Sequence, residues 1–234
     1  MKKILLSAGA LALLVTSASA QFTARRSSVR ASGDATVSVK PDQLRLGVGV
    51  TTTAATAQEA SDQNATQATA VIAALRKVAG TAGEIKTIGY SVSPNYRYPQ
   101  GGGTPTLTGY TANNTVEVIT SDLSLGGKLI DSSVQAGATN IQSLRFALKD
   151  SEAARFEALR LATLQAKRHA EAIATGLNAR LGYVIAADEG AAARRVLADT
   201  RTVNAAAGGT VPTPVETGMV DVYATVTLEI ELIP

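Results

Sequence analysis

Leu44-Arg45-Leu46-Gly47-Val48-Gly49-Val50-Thr51 is the stretch on which the fold turns. Leu44, Leu46, Val48 and Val50 alternate with Arg45, Gly47, Gly49 and Thr51, the period of a strand with one buried face. Five residues further on, Thr56-Ala57-Gln58-Glu59 has the form of a capping box. The helix it opens is expected to reach Ala79, with Ala60, Ala68, Val71, Ile72, Leu75 and Val78 at helical spacing and Gly80 as its stop. Beyond it, Ile85–Tyr98 reads as a strand and Leu107–Thr120 as its antiparallel return, across a loose tip of Pro99–Pro105 that holds Gly101, Gly102 and Gly103. Asp122 is placed to cap a short helix carrying Leu129, Ile130 and Val134, and Ile141, Leu144, Phe146 and Leu148 make the next strand.

The order over residues 44–148 is therefore strand, helix, strand, strand, helix, strand. That is the split βαβ, ferredoxin-like arrangement of an α+β fold, with an antiparallel sheet and both helices on one face. A long helix is expected over 151–177, with Leu159, Ala162, Ala166, Ala170, Ile173 and Leu177 along one narrow face and Leu161 and Leu164 on the opposite one. A short strand over Gly182–Asp188 follows. The segment 190–216 is rich in Ala, Gly, Thr and Pro and reads as a mobile loop. Val220, Val222, Ala224, Val226, Leu228, Ile230 and Leu232 then alternate cleanly, so residues 219–232 form a final strand, expected to pair near the first one. That first strand is short: Val37 and Val39 alternate with Thr36, Ser38 and Lys40 before Pro41.

Outside this core, residues 1–20 have the pattern of a secretory signal peptide. Lys2 and Lys3 are followed by the apolar run Ile4–Val15 and by Ala18-Ser19-Ala20, a small-x-small cleavage site. Residues 21–34, with Arg25, Arg26 and Arg30, read as a mobile basic arm. The chain is thus expected in the periplasm or cell envelope, or secreted. Loss of 20 of its 234 residues, two of them among the 22 basic ones set against 19 acidic, leaves 214 residues and a formal charge of +1. So small a charge argues against nucleic acid as a partner. With no cysteine, stability must come from packing rather than disulfides. No segment after the leader has the roughly 18 apolar residues of a membrane helix.

Further motifs extend over almost all of the remaining chain. They begin with Gly33-Asp34-Ala35-Thr36-Val37-Ser38-Val39-Lys40-Pro41-Asp42 and continue through Ile85-Lys86-Thr87, Tyr90-Ser91-Val92-Ser93-Pro94-Asn95-Tyr96 and Gly109-Tyr110-Thr111-Ala112-Asn113-Asn114-Thr115-Val116. Leu129-Ile130-Asp131, Gly137-Ala138-Thr139-Asn140-Ile141, Glu157-Ala158-Leu159-Arg160 and Leu181-Gly182 complete the set. In order and spacing these resemble the SIMPL-domain family of bacterial envelope proteins, over about residues 33–232. The resemblance implies a domain of unknown molecular activity without established catalytic residues. The family includes a periplasmic immunogenic protein and envelope proteins linked to tolerance of oxidative stress. A ring-like homo-oligomer among similar members implies self-association. The insertion at 190–216 and the arginine-bearing arm depart from the pattern.

No catalytic residue, cofactor or metal site is expected. His169, the single histidine, stands beside Lys167 and Arg168 without the acid and nucleophile that catalysis requires or the further ligands a metal needs. Gly126-Gly127-Lys128 lacks the spacing and the following Ser or Thr of a phosphate loop, and no serine has a Gly-x-Ser-x-Gly setting. The candidate interaction surfaces are Tyr90, Tyr96, Tyr98 and Tyr110, four of the six tyrosines, on the long hairpin, and Leu161 with Leu164 on the long helix. Tyrosine joins apolar area to a polar tip, so the hairpin suits a ligand, a protein or another subunit; cross-strand packing is the plainer use. Arg194, Arg195 and Arg201, with the arginines of the arm, could touch anionic envelope polymers. Two readings follow: a non-enzymatic, self-assembling envelope protein, or a monomeric binding module that uses the tyrosine hairpin.

Overall fold

The computed structural model describes residues 27–190, 196–197 and 213–234. The expected leader, Arg25 and Arg26 of the arm, and Arg194, Arg195 and Arg201 lie outside the described residues. The chain folds into an α+β structure with two antiparallel sheets, each carrying helix on one face. One sheet contains β2 (Gln43–Ala54), β3 (Glu84–Arg97), β4 (Thr106–Thr120) and β5 (Asn140–Ala147), in the order β3-β4-β2-β5. Over it lie α1 (Ala57–Ala79) and α2 (Gly126–Gln135), which pack on each other. This is the strand order of the split βαβ arrangement.

Local chemistry explains these boundaries. Thr56 is the N-cap of α1, its Oγ1 accepting the Glu59 amide at 3.2 Å, and Gly80 ends the helix at φ 62°. The alternation in β2 buries Leu44, Leu46, Val48 and Val50 completely against Val71 and Leu75 of α1, Val116 and Val118 of β4, and Leu129 of α2. Each such side chain contributes about 1.5–3 kcal/mol relative to exposure, so this core dominates the stability of its half.

The second sheet joins the two ends of the described chain. β1 (Ser28–Val39) pairs along its whole length with β8 (Val220–Ile233), from Ser28 opposite Glu231 to Val39 opposite Val220. On the other side of β8 lie β6 (Arg180–Glu189) and the two-residue β7 (Val196–Leu197). The long helix α3 (Glu152–Gly176) covers β1 and β8. The expected pairing of the last strand with the first is therefore present.

Four expectations need correction. Residues 28–34 belong to β1 and not to a mobile arm. The buried face of that stretch is Val29, Ala31 and Gly33, too small to register as an apolar period until β8 supplies the facing Ile230, Leu228 and Val226.

In α3 the buried stripe is Ala158, Ala162, Ala166, Ala170 and Ala174. Ile173 and Leu177, expected on the packed face, are exposed, because only an alanine row admits the approach α3 makes. At Gly33 a Cβ would collide with the carbonyl oxygen of Ala162 and the amide nitrogen of Ala166, so helix and strand meet backbone to backbone.

Leu161 is half-buried at the flank of that stripe, and only Leu164 stands on the outer side.

The segment 190–216 is not loop throughout. Val196–Leu197 joins β8, Thr213 Oγ1 donates to Asp131 Oδ1 of α2 at 2.7 Å, and Val215 packs into the first core. The Gly126-Gly127 pair makes room for it, since a Cβ on Gly127 would stand 2.5 Å from the Thr213 carbonyl oxygen. The glycines that superficially resembled a phosphate loop thus seat a returning strand of chain. Just before β2 and just after β5, Asp42 and Lys149 join the two segments that connect the sheets, the Asp42 Oδ1 accepting the Lys149 amide at 2.7 Å.

Candidate functional site

The β3–β4 hairpin outruns its sheet. The last β2 position in register is Ala54, opposite Tyr110, whereas β3 and β4 continue paired to Arg97 opposite Thr106. The two strands leave the sheet as an arm. Gly109, at φ 148°, sits where they depart; a side chain there would stand 2.7 Å from the Ala54 carbonyl oxygen. Hydroxyl and amide groups brace the arm at its root. Asn95 Nδ2 donates to Thr111 Oγ1 at 2.8 Å, and Thr108 Oγ1 donates to the Asn95 carbonyl at 3.0 Å. A bulge between Asn95 and Tyr96 increases the local twist. At the tip, Gly102 and Gly103 adopt φ of 78° and 142°, the left-handed turn geometry that the sequence placed there.

The register strings the tyrosines along this hairpin instead of gathering them. Tyr90 lies opposite Asn114, Tyr110 opposite Pro94, and Tyr96 opposite Leu107, while Tyr98 lies past the paired end. Tyr90 and Pro94 share a face by alternation, so Tyr90 and Tyr110 are about 13 Å apart along the strands at ~3.3 Å per residue. Tyr90 donates its hydroxyl proton to Ser61 Oγ of α1 at 3.0 Å, and Tyr110 is half-buried. Tyr96, Tyr98 and Leu107 are exposed, Tyr98 by 72%. Of the inner pair only Tyr110 is packed, Tyr90 remaining 55% exposed despite its bond to Ser61, and the outer tyrosines with Leu107 form an open apolar end.

Leu164 joins Phe156, 58% exposed, on the outer side of α3, where Glu157 and Arg160 form a two-pronged ion pair with bonds of 2.6 and 2.8 Å. That pair holds the Glu157 carboxyl below its ordinary range and raises Arg160. A third apolar surface, unmarked in the sequence reading, is the run Tyr183-Val184-Ile185 of β6, each more than two-fifths exposed. The strand's register shifts between Leu181 and Ala186 turn these neighbours outward, and register is not visible in a single strand.

His169 is engaged with the fold. Its Nδ1 donates to the Ser32 carbonyl oxygen of β1 at 2.7 Å. Among the described residues no group of three or more His, Cys, Asp or Glu is arranged to hold a metal. No helix of the described residues is long and apolar enough to cross a membrane.

Comparison with known proteins agrees with the motifs. The chain is 28% identical to the "26 kDa periplasmic immunogenic protein" of Brucella melitensis biotype 1 over 184 residues, 77% of this chain and 74% of that one. The protein of the same name from Brucella abortus strain S19 gives the same figures, 28% over 184 residues. "Uncharacterized protein YggE" of Escherichia coli K12 is 30% identical over 156 residues, 65% of this chain and 61% of its own length. The family model SIMPL, "Protein of unknown function (DUF541)", matches residues 29–230, from the second residue of β1 to near the end of β8. With the three α-helices of the described residues and nearly all of both sheets within that match, the chain belongs to the SIMPL family.

Proposed function

We propose that this is a periplasmic, non-catalytic protein that self-assembles and supports tolerance of envelope and oxidative stress. The periplasm is supported by the Brucella relatives, which are named periplasmic. Assembly rests on one observation: large exposed apolar side chains concentrate on the hairpin (Ile88, Tyr90, Tyr96, Tyr98, Leu107) and along α3 and β6. Exposed large apolar side chains in such number suit contact with another protein surface. The non-catalytic reading draws support from His169, the only imidazole, whose Nδ1 is committed to a strand carbonyl. The stress role rests on the family resemblance alone.

Light scattering on residues 21–234 at micromolar concentration tests assembly: a multiple of the monomer mass is expected, and a monomer across ordinary salt would end this reading. For the stress role, a strain lacking the protein should lose survival under peroxide and regain it on complementation; equal survival removes that role.

A second reading is favoured by the arm itself. A projecting hairpin end bearing Tyr96, Tyr98 and Leu107 suits a ligand or protein partner of a monomer. Substitution of Tyr96 and Tyr98 by Ser would then abolish partner capture without altering mass.

A further inference from the structure

A strand edge presents a row of unpaired N–H and C=O groups, and proteins blunt such edges to avoid unwanted pairing. Among the described residues, the edges formed by β1, β6 and β5 are blunted. On β1, Gln165 Oε1 of α3 accepts the Asp34 amide at 2.9 Å and His169 Nδ1 donates to the Ser32 carbonyl, so side chains occupy one slot of the ladder. The β6 edge carries two register shifts, with Arg180, Asp188 and Glu189 among its ten residues. The β5 edge is only eight residues long, pairs through a bulge, and bears Arg145.

The β3 edge is different. It is fourteen residues long and carries no charge between Lys86 and Arg97; it too has two register shifts, at Thr87/Gly89 and Asn95/Tyr96, but these bracket an unbroken run from Gly89 to Asn95 in regular pairing with β4. No described strand covers its outer side. Its free groups can be assigned by alternation. The Gly49 carbonyl accepts from the Thr139 amide and the Thr51 amide donates to Thr139 Oγ1, so odd positions of β2 turn towards β5 there and even ones towards β4. Val50 is opposite Asn114, which leaves Asn113 and Thr111 of β4 to bond Ser91 and Ser93. The backbone groups of Tyr90, Val92 and Pro94 therefore face outward. Pro94 has no N–H to offer, in keeping with prolines being confined to edges.

We infer that this edge pairs with the same edge of a second copy, antiparallel about Ser91, giving a continuous eight-stranded sheet. The inference rests on the self-assembly reading above and names its interface. The strand is complementary to itself. In this register Tyr90 and Val92 of the two copies exchange both of their outward N–H and C=O bonds, an aromatic residue opposite a β-branched one. The ladder closes on each side where Pro94 withholds its donor. The acidic start at Glu84 comes beside the basic end at Arg97, twice over in a two-fold pair.

The chain's lack of cysteine makes the test direct. Facing residues at a non-hydrogen-bonded antiparallel position have Cα atoms about 4.5 Å apart, within disulfide reach. Ser91→Cys should form a covalent dimer on mild oxidation, and Ser93→Cys should not. Val92→Pro removes an outward N–H without touching the β4 ladder; it should lower the assembled mass while the circular dichroism spectrum stays native. If the protein assembles but Ser91→Cys does not cross-link, this interface is wrong and self-assembly stands. If it is a monomer that does not cross-link, both fall. Cross-linking of Ser91→Cys to a different polypeptide and not to itself would overturn the choice of a second copy.

Discussion

His169 of α3 and Ser32 of β1 are joined by a 2.7 Å bond from imidazole Nδ1 to a backbone carbonyl, and one helical turn earlier Gln165 takes the amide of Asp34. Residues four apart on a helix thus occupy a carbonyl and an amide two apart on a strand edge. Gln165→Ala should raise hydrogen exchange at the Asp34 amide about fivefold, the worth of a net bond of ~1 kcal/mol, and leave the amides of β2 unchanged. An unaltered Asp34 amide would mean that the bond gives no protection.

Gly33 sets how close α3 can come. Because the colliding atoms are the backbone of Ala162 and Ala166, no rotamer change relieves an added methyl group. Gly33→Ala should cost about 3 kcal/mol, at the upper end of overpacking. Denaturant unfolding measures it; a change below 0.5 kcal/mol would show that α3 lifts off freely.

Asp122 supplies a pH signature. Its Oδ1 accepts the Ser124 hydroxyl at 2.6 Å and the Ser124 amide at 3.0 Å, and these bonds hold its carboxyl below the ordinary 3.8. A carboxyl depressed in the folded state stabilises above its unfolded value and loses that contribution as pH falls through the folded one. Asp122→Ala should therefore unfold earlier than the parent at pH 7, with the difference closing below about pH 4. A gap that persisted at pH 2 would assign the effect to something other than ionisation.

How much of this was legible in sequence follows from where the determining contacts lie. The helix from Thr56 to Gly80 was readable because its cap, its apolar stripe and its stop are all local. The alternation of β8 was readable because one strand carries it whole. Residues 28–34 were not: the face that Val29, Ala31 and Gly33 bury is defined by a helix more than a hundred residues away. Similarly, the place of Val215 depends on two glycines in α2 that meant nothing by themselves. At the candidate site the tyrosines were identifiable as a group. Their spacing along the arm, and the outward run in β6, required register, which belongs to pairs of strands.

Asn64 is a buried polar residue that the fold tolerates more than it needs. On α1 and fully buried, it donates from Nδ2 to the carbonyls of Val50 at 3.0 Å and Ala112 at 3.1 Å, while its Oδ1 has no partner. Both carbonyls belong to residues whose backbone faces the β2–β4 ladder, so losing the amide orphans neither of them. Replacing the whole group by an apolar one of similar shape also removes an unsatisfied oxygen. Asn64→Leu should therefore change stability by less than ~1.5 kcal/mol in either direction. Asn64→Asp should cost about 3 kcal/mol or more, because it sets an uncompensated charge against two carbonyl oxygens. Equal losses from the two variants in thermal or urea unfolding would show that the amide's donated bonds, and not the burial of charge, decide the energetics at this position.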